Sequence, residues 1–218
     1  MLSIENEIRI LKDGFLELGI EPREDIFNKF RIYLKVLYNY KNHLHLISYN
    51  DYKRISLKHF LPSLMILRFI SNQQNACDIG AGAGFPSIPV KILVPEINFT
   101  LFESIKKKAN FLSYLIKELN LSGIKVISER AEKYQVENFD LILIRAAGRI
   151  KDLVKTIDHL IKPGGKAVFY KTQAVEEEIR QAKDKIDRMN FSITIENLYT
   201  PVEKIPMSLV FLTRKCFP

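Results

Sequence analysis

The sequence predicts an α/β fold: a seven-stranded, mostly parallel sheet with an antiparallel last strand, preceded by an N-terminal helical extension. Three observations predict it. From Ala76 onward, short β-type runs alternate with helical stretches, the pattern of a parallel sheet covered on both faces. The last two runs are joined only by "NLYTPVEKIPM", which suits an antiparallel pair better than a parallel crossover. The first seventy residues instead carry apolar side chains at helical spacing.

The elements follow in order. Ile4, Ile8, Leu11, Phe15 and Leu18 lie on one helical face, and Gly19 ends the helix. A second helix is expected from about 25 to 40 and a third from about 56 to 69, with Pro62 inside it. The β-type runs are "ACDI" (76 to 79), "NFTLFE" (98 to 103), "IKVISE" (124 to 129), "FDLILI" (139 to 144), "KAVFYK" (166 to 171), "FSITIE" (191 to 196) and "LVFLTR" (209 to 214). Helices are expected at 87 to 94, 106 to 120, 149 to 161 and 174 to 189. The boundary between the extension, 1–72, and the sheet domain, 73–218, falls where the periodicity changes.

Composition narrows the class. A chain of 218 residues that is 47% hydrophobic and 27% charged reads as an ordinary globular protein. No apolar run reaches the roughly 18 residues of a membrane span, and two glutamates interrupt "MLSIENEIRI" where a signal peptide needs an apolar core. Cys77 and Cys216 give no disulfide framework, so a cytoplasmic location is expected. The net charge is +8, and from Asn28 to Arg68 eight basic residues face one acid, Asp51, for a local net +7. Phe30, Tyr33, Tyr38, Tyr40, Tyr49, Tyr52 and Phe60 are interleaved with them. Cations for phosphates beside rings for bases fit RNA contact; the plainer alternative is helices with a solvated basic face and aromatic core anchors.

The chemistry concentrates in "CDIGAGAGFPSIP", residues 77 to 89. Glycines after the first strand of a doubly wound sheet point to a nucleotide-type ligand at its carboxyl edge. The dinucleotide pattern G-x-G-x-x-G fails, because Phe85 stands where its third glycine would be. Pro86 and Pro89 remove donors from the following helix, and Asp78 would repel phosphate. An acid there favours an ammonium. S-adenosylmethionine carries an ammonium and a sulfonium and no phosphate, so it is the cofactor expected against Asp78, Gly80, Gly82, Gly84 and Phe85. Glu103 ends the second strand 25 residues after Asp78, where an acid takes ribose hydroxyls. In the loop "ERAE", Ala131 and Glu132 are the expected adenine contacts.

The segments "DIGAGAGFPSIPVKILVPE", "FTLFESIKKKANFL", "SERAE", "IRAAG" and "YKTQ" resemble the bacterial small-subunit rRNA methyltransferase G family, also called glucose-inhibited division protein B. The resemblance covers about His43 to Glu178 and implies a Rossmann-like class I methyltransferase fold with a basic, RNA-facing N-terminal extension. It implies transfer of a methyl from S-adenosylmethionine to N7 of a guanine in 16S rRNA near the decoding region. Its partner would be that rRNA or the small ribosomal subunit, with no membrane, no metal and a monomeric enzyme. Guanine N7 carries no proton, so its methylation needs orientation rather than a base. In keeping with that, the chain shows no metal-ligand spacing, no Ser-His-Asp arrangement and no Asn-Pro-Pro-Tyr box.

The resemblance also implies site residues. Arg145 follows the fourth strand and is expected on the guanine edge or the methionine carboxylate. Lys171 ends the fifth strand, and Arg130 and Lys107 match further basic positions of the family. Departures concern the acceptor side: His45-Leu46-Ile47 stands for Asn-Leu-Thr, Lys58-His59 for Arg-His, Pro62-Ser63 for Asp-Ser, and Met207-Ser208 for Arg-His. Either another cation, such as Lys204, replaces the lost arginine, or recognition has shifted. The competing readings are a class I methyltransferase with a different RNA or small-molecule acceptor, and a nucleotide-binding redox or regulatory module, which would need a phosphate cradle.

Overall fold

The computed structural model describes residues 4–70, 75–135, 139–172 and 175–216. The 72/73 domain boundary, and Gln173 of the "YKTQ" segment, lie outside the described residues.

The strands β1 (Asn75–Ile79), β2 (Asn98–Phe102), β3 (Ile124–Ile127), β4 (Phe139–Arg145), β5 (Ile161–Lys171), β6 (Phe191–Tyr199) and β7 (Pro206–Arg214) form one sheet in the order β3-β2-β1-β4-β5-β7-β6. β1 to β5 pair in parallel. β7 inserts between β5 and β6, antiparallel to both. Chain order reverses between β1 and β4, and at such a switch point the carboxyl ends of the strands leave a crevice.

Both faces are covered, which explains why the central strands read as continuous apolar runs. On one face Ala76, Leu141, Leu143, Val168, Tyr170, Leu209 and Phe211 share a core with the N-terminal helices α1 (Ile4–Glu17) and α2 (Glu24–Tyr40). On the other, Cys77, Ile142, Ile144, Ala167, Phe169 and Val210 pack with α6 (Ile150–Leu160) and α7 (Glu176–Arg188). Short α4 (Ser87–Leu93) and longer α5 (Lys106–Glu118) complete the first layer.

Two elements differ from the sequence expectation. The third helix is broken into a π-helical turn (Ser56–Phe60), a single α-turn α3 (Leu61–Leu64) and a 3-10 turn (Leu67–Phe69). Pro62 lacks the N–H that would continue the ladder. β5 begins at Ile161, earlier than 166, because Ile161 pairs with Phe139 across a register shift that bulges out Pro163-Gly164-Gly165. Among the described residues no helix is long and apolar enough to cross a membrane.

Candidate active site at the carboxyl edge of the sheet

The three loop glycines serve three different contacts. All have positive φ: +74 at Gly80, +53 at Gly82 and +96 at Gly84, a region that side chains disfavour. A Cβ on Gly80 would lie 2.8 Å from Ala147 Cβ, so the loop after β4 touches it directly. One on Gly84 would lie 2.6 Å from Ile88 Cδ1 and 2.7 Å from Tyr33 Oη, against α4 and α2. Beside Gly82 only the Gly80 carbonyl comes within 4 Å, at 3.7 Å. Gly80 and Gly82 line a cavity of about 540 Å³, and Gly84 does not. Tyr33 donates to the Ala83 carbonyl at 2.6 Å, so the N-terminal layer props the loop from behind.

The two acids are set differently. Glu103 lines the cavity; its Oε2 accepts from the Gly82 N–H at 3.0 Å and its Oε1 from the Ile105 N–H at 2.8 Å. Each oxygen keeps a lone pair for a ligand hydroxyl. Asp78 is fully buried and does not line the cavity. Ser87 donates to its Oδ2 at 2.6 Å, while Oδ1 has no hydrogen-bond partner. Burial pushes its carboxyl up to about 7 against the opposing pull of Ser87 and Arg145. An orphaned carboxylate oxygen under the loop fits a cationic ligand group and opposes phosphate.

The loop after β3 supplies the far wall: Glu129, Arg130, Ala131 and Glu132 all line the cavity. Of the four cations the resemblance marks, Arg130 and Arg145 line it, and Lys107 and Lys171 do not. Lys107 is exposed in the first turn of α5, and its neighbour Lys108 lines the cavity instead. Lys171 donates to Glu178 Oε1 at 2.7 Å and to the Gly148 carbonyl at 3.2 Å. Arg145 is turned toward the N-terminal layer, where Lys58, His59 and Ser63 take its terminal nitrogens.

The aromatic residues of the basic segment are largely core anchors. Phe30, Tyr33, Tyr52 and Phe60 are buried, and Tyr49, 68% exposed, is the segment's open ring. Arg31 pairs with Glu5 and Glu24, and Arg54 with Glu203. Lys35 and Lys53 are exposed and Lys29 is half-buried. Lys204 does not replace the lost family arginine at the cavity: it is ion-paired with Glu17. Met207 and Ser208 are themselves buried, with Ser208 opposite Lys171 in the sheet.

On the N-terminal side, sequence reasoning did not assign Leu46, Ile47 and His59 to the cavity wall. Leu46 and Ile47 stand in a loop without periodicity, at positions that depart from the family pattern, whereas His59 matches the family's histidine and lay inside the expected third helix. Among the described residues no group of acids, histidines and cysteines could hold a metal ion.

The family described as "rRNA small subunit methyltransferase G" matches residues 26–199. The Ribosomal RNA small subunit methyltransferase G of Desulforamulus reducens is 34% identical over 218 residues, covering 96% of this chain and 91% of the relative. That of Staphylococcus aureus strain JH9 is 34% identical over 190 residues, covering 84% and 80%. Among solved structures, a methyltransferase from Pyrococcus furiosus superposes with a TM-score of 0.60 at 15% identity, over 87% of this chain and 99% of that one. An O-methyltransferase from Thermotoga maritima, itself SAM-dependent, gives 0.56 at 12% identity, over 85% and 72%. At such identities the two structures speak to the fold alone.

Proposed function

The chain belongs to the rRNA small subunit methyltransferase G family, and from that premise we propose that it methylates N7 of a guanine in 16S rRNA, using S-adenosylmethionine. The observation that carries this reading is the pairing of an open glycine loop with two acids that favour a cationic nucleoside, Glu103 beside the cavity and Asp78 beneath it.

Bound there, S-adenosylmethionine supplies an electrophilic methyl group on a sulfonium. Glu103 holds the ribose, with both its oxygens already aligned by backbone donors. Arg130, Ala131 and Glu132 flank the adenine. Asp78, buried beneath the loop with one unpartnered oxygen, favours the ammonium end by its field rather than by contact. The acceptor nitrogen has a lone pair in the base plane and no proton to lose, so the protein's task is orientation, which can be worth ~7–11 kcal/mol of barrier. The cavity's histidine fits that economy: His59 has Nδ1 engaged by Arg145 and is held far from an imidazolium, pushed down to about 3 by burial and by that arginine.

Lys107, Lys53, Lys35 and Lys29 meet RNA phosphates, and Arg145 and Lys171 hold the acceptor end of the site. The rRNA is presented naked or within a small subunit, in the cytoplasm. Large apolar side chains are exposed at Leu16, Tyr49, Ile105, Tyr114, Ile195 and Tyr199, and the protein acts as a monomer.

The test is to incubate the protein with methyl-labelled cofactor and undermethylated small subunits or rRNA, then map the label by mass spectrometry. The expected product is 7-methylguanosine at one site of 16S rRNA. Label on an exocyclic amine, a ribose oxygen or protein would contradict the proposal.

A further inference from the structure

Asp78 of β1, Arg145 of β4 and Tyr170 of β5 lie at the carboxyl ends of neighbouring strands, on the face that the N-terminal layer covers. The guanidinium of Arg145 is held by a single turn of that layer. Its Nη2 donates to the Lys58 carbonyl at 2.5 Å and lies 3.1 Å from His59 Nδ1. Its Nη1 donates to the His59 carbonyl at 3.2 Å and to Ser63 Oγ at 3.3 Å. A terminal guanidinium nitrogen has two hydrogens, so all four are engaged.

Pro62 brings no N–H and so cannot donate to the Lys58 carbonyl four residues earlier; Arg145 does. Guanidinium can only donate, so His59 Nδ1 must be the acceptor and the ring proton must sit on Nε2. Nε2 is buried without a formed hydrogen bond, and the acid nearest it is Asp51, with Oδ2 at 3.3 Å. The imidazole lies nearly parallel to Phe85, centroids 4.8 Å apart, and Phe85 lies on Tyr33 at 5.4 Å.

We propose that His59, oriented by Asp51, is a positioning residue for methyl transfer: it clamps Arg145 and turns residues 58–63 into a rigid wall on the acceptor side of the cavity. The proposal rests on the methyltransferase reading above. With Gly80–Gly82, Glu103 and Arg130–Glu132 assigned to the cofactor, the lining that the N-terminal layer contributes, Leu46, Ile47 and His59, together with Arg145 bonded to it, is assigned to the acceptor. The clamp has a chemical consequence. Arginine commonly pairs with O6 and N7 of guanine together, which would block the reacting lone pair. An arginine with its terminal hydrogens already taken cannot cap N7.

Nitrogen-15 NMR of the histidine rings near pH 7 tests the geometry, with His59 assigned by the signal lost in His59→Asn. The neutral Nε2–H tautomer is expected; an imidazolium or an Nδ1–H tautomer would overturn the clamp. Kinetics test the role. His59→Leu, which offers no acceptor, should lower kcat at least tenfold while affinity for S-adenosylhomocysteine, measured by calorimetry, stays within threefold. His59→Asn, which keeps an acceptor near Nδ1, should recover most of that loss. A His59→Leu enzyme at wild-type kcat, or one that loses cofactor affinity in step with kcat, would overturn the positioning role. Should the wild-type protein transfer no methyl, the functional reading fails, and the tautomer still decides the clamp.

Discussion

Gly82 and Gly84 are separated by one residue and should fail differently when given a side chain. At Gly84 the new methyl would sit 2.6 Å from Ile88 Cδ1 and 2.7 Å from Tyr33 Oη, at a φ of +96. Strain and overpacking together cost roughly 2–4 kcal/mol. Gly84→Ala is therefore expected to lower Tm by about 5–15 °C, read by calorimetry. At Gly82 the adjoining space is open and belongs to the cavity, so Gly82→Ala should leave Tm within a few degrees and weaken S-adenosylhomocysteine binding at least tenfold. Asp78 carries a pH prediction. Its carboxyl is raised to about 7, chiefly by burial, with Ser87, Arg145 and Glu103 as its charged and polar neighbours. A raised folded-state value means that the empty protein holds this proton up to about pH 7. An ammonium nearby favours the anion, so affinity for S-adenosylhomocysteine should fall as pH drops below 7, by at most about tenfold per pH unit. The same shift makes this group's contribution to fold stability decline as pH rises from about 4 to 7. Asp78→Asn should flatten the affinity profile; an unchanged slope would show that another group is responsible. Both residues were legible in the sequence by type, but which glycine met the cavity and which met Tyr33 depended on packing that no spacing encodes.

At the level of elements, the loop between β4 and α6 brings Ala146 and Ala147 to the cavity, and Lys171 of β5 holds that loop at the Gly148 carbonyl. Glu178 of α7 accepts from Lys171 and from the Ile150 N–H that opens α6, both at 2.7 Å. Lys171→Met removes the cation that ties this loop to β5 and leaves the acid at the helix start, where the dipole favours it. Single-turnover methylation should slow at least tenfold, about 1.4 kcal/mol of barrier; an unchanged rate would place Lys171 outside the acceptor machinery. Strand and helix alternation was readable because each central strand is buried on both faces and each covering helix keeps a 3.6-residue stripe. The break at Pro62 was not. The proline lay in an apolar helical pattern, and nothing in that pattern showed that Arg145, 83 residues later in the chain, reaches the Lys58 carbonyl, to which proline cannot donate. The early start of β5 was hidden for a similar reason: "KPGG" reads as a turn, and only the partner Phe139 makes Ile161 a strand residue.

Over the whole molecule, the N-terminal layer and the sheet are one structure. Phe30 packs on Phe15 and Phe60, and Phe60 on Phe85 of the glycine loop. Phe30→Ala should cost about 3–5 kcal/mol, and circular dichroism and cofactor binding should be lost in one transition. Two separate transitions would contradict a shared core. The basic segment taken alone allowed RNA contact and core anchoring in equal measure; burial assigned most of its rings to the core and left its exposed lysines to the surface. Charge shows in a sequence, but the face it occupies is decided by long-range packing. The account's central claim is that the cavity between the glycine loop and the N-terminal layer takes S-adenosylmethionine with its methyl aimed at the wall of His59 and Arg145. A crystal structure with S-adenosylhomocysteine bound tests this most directly. It should show ribose hydroxyls on Glu103, adenine beside Ala131 and Glu132, the amino end over Gly80–Gly82, and the sulfur facing His59. A ligand with its ribose away from Glu103, or its sulfur turned from that wall, would contradict it.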